Sequence, residues 1–469
     1  MRKLWAALAF TTALIAAPAL RAESLADALI SAYRTSNLLE QNQAVLRAAD
    51  EDAAIALSQL RPVVNFAAQG SWTKNNNDTG GGFFDPFPMP YYEETGASLS
   101  LTAEILVYAG GRGKMGVDVA HEAVLATRAS LVNVEQEVLL DAVAAYVDIR
   151  LQNALLELAR SSVDLIGQEL QAARDRFDVG EITLTDVSQA EARLASAEAD
   201  VTAAEANVLV ARERYKATIG HYPDSLSGLP DLPKTAKSKD EATRVALASH
   251  PYIIQSQHEA AVAELQTRIA EAAFLPTVTG QMQGVAGVDG GNGTYNYGNV
   301  GVGLRLSQPI YQGGGLSALY RQALARKAAA DAGLHQSAVV VGENVGRAWA
   351  RVTSASSLID ARNAQVEAAR KAFEGVSEEA TLGARTTLDV LNAQLELQLA
   401  QANTFRARAD EYTAAYALLS TMGLLTAEHL KLGIPTFDPE AYYNQVKRAP
   451  ATSPQGAKLD RIMKSVGND

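Results

Sequence analysis

Two stretches carry polar residues at a repeated spacing: Val179–Ala190, VGEITLTDVSQA, and Thr381–Ala393, TLGARTTLDVLNA. Each holds a glycine, a threonine three residues on, and Asp-Val after three more. The residues are Gly180, Thr183, Asp186 and Val187, then Gly383, Thr386, Asp389 and Val390, every pair separated by 383 − 180 = 203 positions. Thr-x-x-Asp has the shape of a capping box, in which hydroxyl and carboxylate satisfy free N–H groups at a helix start. Both glycines interrupt long, Ala-rich, proline-free runs, so one helix–turn–helix hairpin is written twice.

Other spacings imitate catalytic or binding motifs and fail on context. Gly111-x-Gly113-x-x-Gly116 follows a strand pattern and opens a helix, but a dinucleotide fingerprint needs a βαβ unit of ~30 residues. Here an uninterrupted helical run of about 66 residues follows. His121-Glu122 and His258-Glu259 each begin HExxH, yet Leu125 and Val262 stand where the second histidine of a zinc site belongs. Asp289-Gly290-Gly291-Asn292-Gly293 resembles a calcium nonapeptide, occurs once, and reads better as a hairpin turn. Gly-x-Ser-x-Gly and Walker A patterns are absent. These residues imply no enzyme, no cofactor and no metal, so any energy must come from partners.

The elements around the turns explain what the turns are for. Lys114–Val179 is free of proline and predicts a helix roughly 100 Å long at 1.5 Å per residue. Thr183–Ile219 follows it, with Val187, Ala190, Leu194, Ala197, Val201, Ala204, Val208, Ala211 and Tyr215 in unbroken 3,4 spacing, a coiled-coil seam. Ser24–Leu60 and Asp240–Phe274 are shorter helical runs ended by Pro62 and Pro276. After each proline the period changes to two. Val64, Phe66, Ala68, Gly70 and Trp72 alternate with polar residues, and so do Ala97, Leu99, Leu101, Ala103, Ile105 and Val107. Val278–Ala286 and Val300–Leu306 repeat the pattern. Strands of ~10 residues with one apolar face match transmembrane β-strands; a soluble antiparallel sheet with one wet face shares the alternation.

The duplication orders the whole chain. Tyr311-x-Gly313-Gly314 answers Tyr108-x-Gly110-Gly111, and Gly423 answers Gly220, both at 203; Pro276 answers Pro62 at 276 − 62 = 214. The expected divisions are a signal segment, 1–22, and a first repeat, 23–225, with strands at about 62–74 and 95–108 and helices at about 24–60, 114–179 and 183–219. A linker, 226–239, precedes a second repeat, 240–432, with strands at about 276–288 and 296–308 and helices at about 240–274, 315–382 and 386–422. A C-terminal segment, 433–469, ends in a tail that is polar and loose from Ala449.

Composition narrows the setting. Arg2 and Lys3 precede the apolar core Leu4–Ala17, and Ala19 and Ala22 offer a cleavage site, the arrangement of an export signal. Removing Arg2, Lys3 and Arg21 takes the formal charge from −12 to −12 − 3 = −15, which gives no footing for nucleic acid. There is no cysteine, hence no disulfide, thiolate site or lipidated N-terminal Cys. No apolar run after the signal reaches the ~20 residues of a membrane helix, so any membrane crossing must be made by strands. Four strands cannot close a barrel, and single-chain bacterial barrels begin at about eight. Several copies must therefore share one.

The mature chain resembles the TolC family of outer-membrane efflux and secretion channels. The resemblance rests on the doubled helix–hairpin–helix plan, Tyr-x-Gly-Gly after each β-hairpin, and the two Gly-x-x-Thr-x-x-Asp-Val turns, of which LGARTTLDVLNA is the most specific. It implies a mainly α fold with membrane β. Duplicated coiled-coil hairpins would form a periplasmic α-barrel, and four strands per protomer would enter a shared, 12-stranded barrel in a homotrimer. The function implied is the exit duct of a tripartite system, for type I protein secretion or small-molecule efflux. It would sit in the lipid of the outer membrane of a Gram-negative bacterium and be opened by an inner-membrane ABC or proton-driven pump and a periplasmic adaptor (membrane fusion protein).

By the same resemblance Arg385 matches an arginine latching neighbouring hairpins, Thr185 and Asp186 match its partners, and Asp389 matches an aspartate ringing the pore constriction. Asn392 stands where a second ring aspartate is expected, and Ala380 where a linking tyrosine is expected. The missing N-terminal Cys leans towards the secretion branch. The competing class is a coiled-coil periplasmic adaptor or structural protein, which would carry one hairpin with flanking β-domains rather than two with amphipathic strand pairs.

Overall fold

The computed structural model describes residues 22–75, 92–290, 294–451 and 453–465. Residues 1–21 of the signal segment, most of the first hairpin loop and the tip of the second hairpin lie outside them. The described chain forms two compact units. One holds the residues up to Leu39 with Glu135–Ala246 and Glu343–Thr436; the other holds Glu40–Val134, Leu247–Gly342 and the residues from Phe437 on.

The second of these units contains the sheet, with strands β1 (Val63–Asn75), β2 (Tyr92–Tyr108), β3 (Thr277–Gly290) and β4 (Thr294–Ser307). All neighbours are antiparallel, in the order β1-β2-β3-β4. The register carries one row across all four strands through Val64↔Ala103, Ala103↔Met282 and Met282↔Val302. The adjacent row runs Asn65↔Thr102, Thr102↔Gln283 and Gln283↔Gly301. One face is thus apolar and the other polar, and a slip of one residue would exchange them. The strands run 13–17 residues, longer than their alternating cores.

Each hairpin returns to helix through two successive glycines in the left-handed region: Gly110 (φ 63°) and Gly111 (φ 81°), then Gly313 (φ 59°) and Gly314 (φ 83°). That backbone suits residues without a Cβ, which accounts for Tyr-x-Gly-Gly. Gly113 has a packing role, since a Cβ there would run into Leu60 Cδ2. The helix that follows, α3 (Arg112–Asp178), runs unbroken for 67 residues, as does its repeat α7 (Gly315–Thr381). Their partners after the turns are α4 (Leu184–Ile219) and α8 (Thr387–Thr421).

Two runs expected as single helices are each broken. The first is α1 (Leu25–Thr35) then α2 (Asn37–Ser58), and the second α5 (Lys239–Ser249) then α6 (Pro251–Ala272). The breaks fall at Ser36 and His250, again 250 − 36 = 214 residues apart. Pro251 disfavours helical backbone at His250, which sits at ψ 126° and takes the Tyr252 N–H on Nδ1 at 3.1 Å. At Ser36 (ψ 108°) the hydroxyl accepts from Leu39 N at 3.2 Å, a local bond that competes with the helix. The tail expected to be loose carries α10 (Pro454–Ser465) after a short α9 (Pro439–Val446). Ser453 starts α10, its hydroxyl accepting from Gly456 N at 3.0 Å with Pro454 in the first turn.

The first unit has the larger apolar core. Leu25 and Leu29 of α1 meet Leu139, Val143, Tyr146 and Ile149 of α3, Tyr215 and Ile219 of α4, and Leu419 of α8. The Tyr146 hydroxyl lies 3.0 Å from the carbonyls of Glu23 and Ser227. Ser31 and Thr35 hydroxyls both donate to the free Ile219 carbonyl at 3.0 Å, closing the C-terminal end of α4 on α1.

Candidate functional site

The two interhelical turns lie in the first unit and share one construction. Gly180 (φ 78°) follows α3; its N–H returns to Phe177 O at 2.9 Å and Glu181 N–H to Arg176 O at 2.9 Å. Gly383 (φ 79°) follows α7, with Gly383 N–H on Ala380 O at 3.1 Å and Ala384 N–H on Glu379 O at 2.9 Å. Both are Schellman closures, which require a left-handed residue after the helix. Each next helix starts on its threonine. Thr183 N and Oγ1 donate to Asp186 Oδ2 at 3.0 and 2.8 Å, and Thr386 N and Oγ1 to Asp389 Oδ2 at 3.1 and 2.9 Å.

The turns differ in charge. Arg385 Nε donates to Glu379 Oε2 at 2.8 Å, across Gly383 and within its own turn. This bond and its charge raise the Arg385 pKa above the ordinary arginine value. The Thr386 N–H, then its hydroxyl, then Arg385 hold the Asp389 carboxyl below the usual range. In the first turn Arg176 and Ile182 occupy the positions of Glu379 and Arg385, so the ion pair has no counterpart there. Ion pairing to Glu379, not Asp186, is what the single chain shows for Arg385. Thr185 is exposed and Asp186 half-buried.

Asn392, exposed on α8, accepts from Arg193 Nη2 of α4 at 3.1 Å. Beneath these residues Leu391, buried, packs with Ile166 and Leu170 of α3 and Val187, Ala190 and Ala197 of α4. Gln394 and Gln398 of α8 add hydrogen bonds to Ser162 of α3. Ala380 is buried at the end of α7. Sequence reading overlooked Glu379, Arg193 and Leu391. Only Leu391 carried a signal, as an apolar position beside Val390 at the start of the seam.

Elsewhere Glu122 and His258, one from each incomplete HExxH, lie 2.7 Å apart, and no group of three His, Cys, Asp or Glu suited to a metal occurs among the described residues. No described helix is long and apolar enough to cross a membrane.

Among the described residues, a sheet with one apolar face and two outer strands, joined to duplicated helical hairpins closed by glycine turns, fits a subunit of an outer-membrane channel, a transport duct rather than an enzyme. The outer membrane efflux protein profile matches twice, over residues 30–221 and 243–424, and the two matches end 424 − 221 = 203 residues apart. Outer membrane efflux protein BepC of Brucella suis is 34% identical over 430 residues, 91% of each chain. Outer membrane protein TolC of Escherichia coli K12 is 25% identical over 466 residues, 93% of this chain and 90% of TolC. The crystal structure of outer membrane protein VceC from Vibrio cholerae superposes with a TM-score of 0.71 at 21% identity, covering 85% of this chain and 96% of VceC. The chain belongs to the outer membrane efflux protein family. It is an outer-membrane exit duct extending into the periplasm, of the kind that works with periplasmic adaptors and inner-membrane pumps.

Proposed function

We propose that three copies of the chain close one 12-stranded barrel in lipid and that the interhelical turns gate the duct at its periplasmic end. The observation that carries this reading is the state of β4. Val300, Val302 and Leu304 are 73%, 80% and 77% exposed on β4, the outermost strand of the sheet, which pairs only with β3 among the described residues. Such an edge in lipid leaves backbone groups unsatisfied unless another strand covers it. The apolar face then meets acyl chains and the polar face lines the lumen.

At the gate, Glu379 takes Arg385 Nε and steadies the guanidinium. Its Nη nitrogens then serve Thr185 and Asp186 of the next copy, while Asp389 and Asn392 face the narrowest point of the duct. Solvent-screened ion pairs contribute little each, so the latch yields easily to a docked adaptor and pump.

In planar bilayers the purified protein is expected to form small-conductance channels, and Arg385→Ala or Asp186→Ala to raise the conductance. Channels of unchanged conductance in both variants would remove the latch. A wild-type protein that forms no channel would remove the duct.

A further inference from the structure

We propose that the polar face of the sheet carries a binding site for flat aromatic cations at the hairpin ends of the strands, built from Tyr295, Tyr297 and Asp289 with Glu94 of the first hairpin. This rests on the reading that the polar face lines the duct. Barrel aromatics ordinarily form girdles on the lipid side, at the membrane interfaces. Trp72 takes that place here, in the apolar-face row that runs through Thr95 and Gly290. Tyr295 and Tyr297 lie at the same end of the sheet but on the other face. They pair with Asp289 and Gly287, in the parity of the polar pair Gln283↔Gly301. A lipid-side girdle therefore does not account for them.

The backbone beneath is shaped for these side chains. A Cβ on Gly287 would run into Cζ and Oη of Tyr297, so the ring lies across β3 directly over that glycine. Its other side is open: Tyr297 is 42% exposed and Tyr295 72%. In the next polar row towards the tip, a Cβ on Gly96 would lie 2.9 Å from both Asp289 Oδ1 and Ser71 Oγ. The carboxylate and the hydroxyl thus lean over β2 from either side. Two glycines let a ring and a charge lie low on the sheet.

The first hairpin supplies a second charge. The positions matching Gly287↔Tyr297 are 287 − 214 = 73 and 297 − 203 = 94, the pair Thr73↔Glu94. A carboxylate there answers the ring of the second hairpin. Among the described residues no lysine or arginine shares this face at this end of the sheet. Lys74 stands on the apolar face, 3.0 Å from Glu93, and Arg305 is at the opposite end of β4. An aromatic face attracts a cation through its quadrupole and stacks on a second flat ring. A flat aromatic cation uses both rings and carboxylates, whereas an anion of the same shape is repelled by Asp289 and Glu94.

Ethidium, a flat aromatic cation, is the probe, added to channels in planar bilayers from the side of the hairpin ends. It should reduce the current, and 1-pyrenesulfonate, flat but anionic, should not. Tyr297→Leu should raise the half-blocking ethidium concentration roughly 2- to 30-fold, the worth of one ring–cation contact. Tyr297→Phe keeps the ring and should stay near wild type, while Asp289→Asn should weaken the block. Because the chain has no native cysteine, Tyr297→Cys reports the face separately: a charged methanethiosulfonate reagent should change its current stepwise. Modification of Tyr297→Cys together with equal ethidium block in wild type and Tyr297→Leu would overturn the site and leave the lumen face standing. No modification, in channels that conduct, would overturn both.

Discussion

Arginine in place of Val302 is expected to cost about 2–4 kcal/mol, the cost of a cation near the middle of the lipid face of a β-barrel. Val302 lies near the centre of β4, in the row Val64, Ala103, Met282. Its neighbour Gly301 points to the other face, where an added Cβ meets nothing within 4 Å. Gly301→Arg should therefore assemble nearly as well as the wild type, because a guanidinium there reaches water. Unfolding of the two variants from lipid vesicles in urea makes the comparison. Equal losses in both would refute the assignment of faces.

Leu391→Ala is expected to cost about 2–5 kcal/mol, the range for emptying a buried leucine site. Leu391 is 3% exposed and ties α8 to α3 and α4 beside the second turn. Neighbours such as Ala190 and Ala197 are too small to fill the space. If that packing holds the periplasmic end shut, the denaturation midpoint should fall and bilayer conductance should rise together. A lowered midpoint with unchanged conductance would assign Leu391 to stability alone.

Much of this was legible in residue spacing. A period of two against a helical period separated strands from helices. The fixed 203-residue offset exposed the duplication, and glycine before Thr-x-x-Asp marked the turns. The polar contacts that decorate those turns were not legible. Arg385 and Glu379 are six residues apart across a left-handed glycine, a spacing that neither helix nor strand would bring together. Arg193 and Asn392 come from different repeats, 199 residues apart, and meet only once α4 and α8 pack. Both helix breaks went against the expectation of single helices: the one before Pro251 had a proline to mark it, whereas the one at Ser36 has none and rests on a serine hydroxyl. Hydrophobic periodicity says which face is buried, and leaves open which charge lies opposite which.

The central claim, that the second turn forms the constriction of a duct, is tested most directly by the reversal potential across a bilayer in a KCl gradient. Both hydrogen bonds from Thr386 fall on Asp389 Oδ2. They keep the carboxylate ionised to lower pH than an ordinary aspartate, its charge being lost only as pH falls through that lowered pKa. One such charge per copy at the narrowest point should make the channel cation-selective, since acidic rings concentrate negative potential where water is scarce. The amide of Asp389→Asn keeps an oxygen for the helix cap. The account predicts a reversal potential that collapses towards zero in this variant, while the heat resistance of the assembled protein barely moves. A reversal potential identical to wild type, with reduced heat resistance, would show Asp389 to be a helix cap and place the constriction elsewhere.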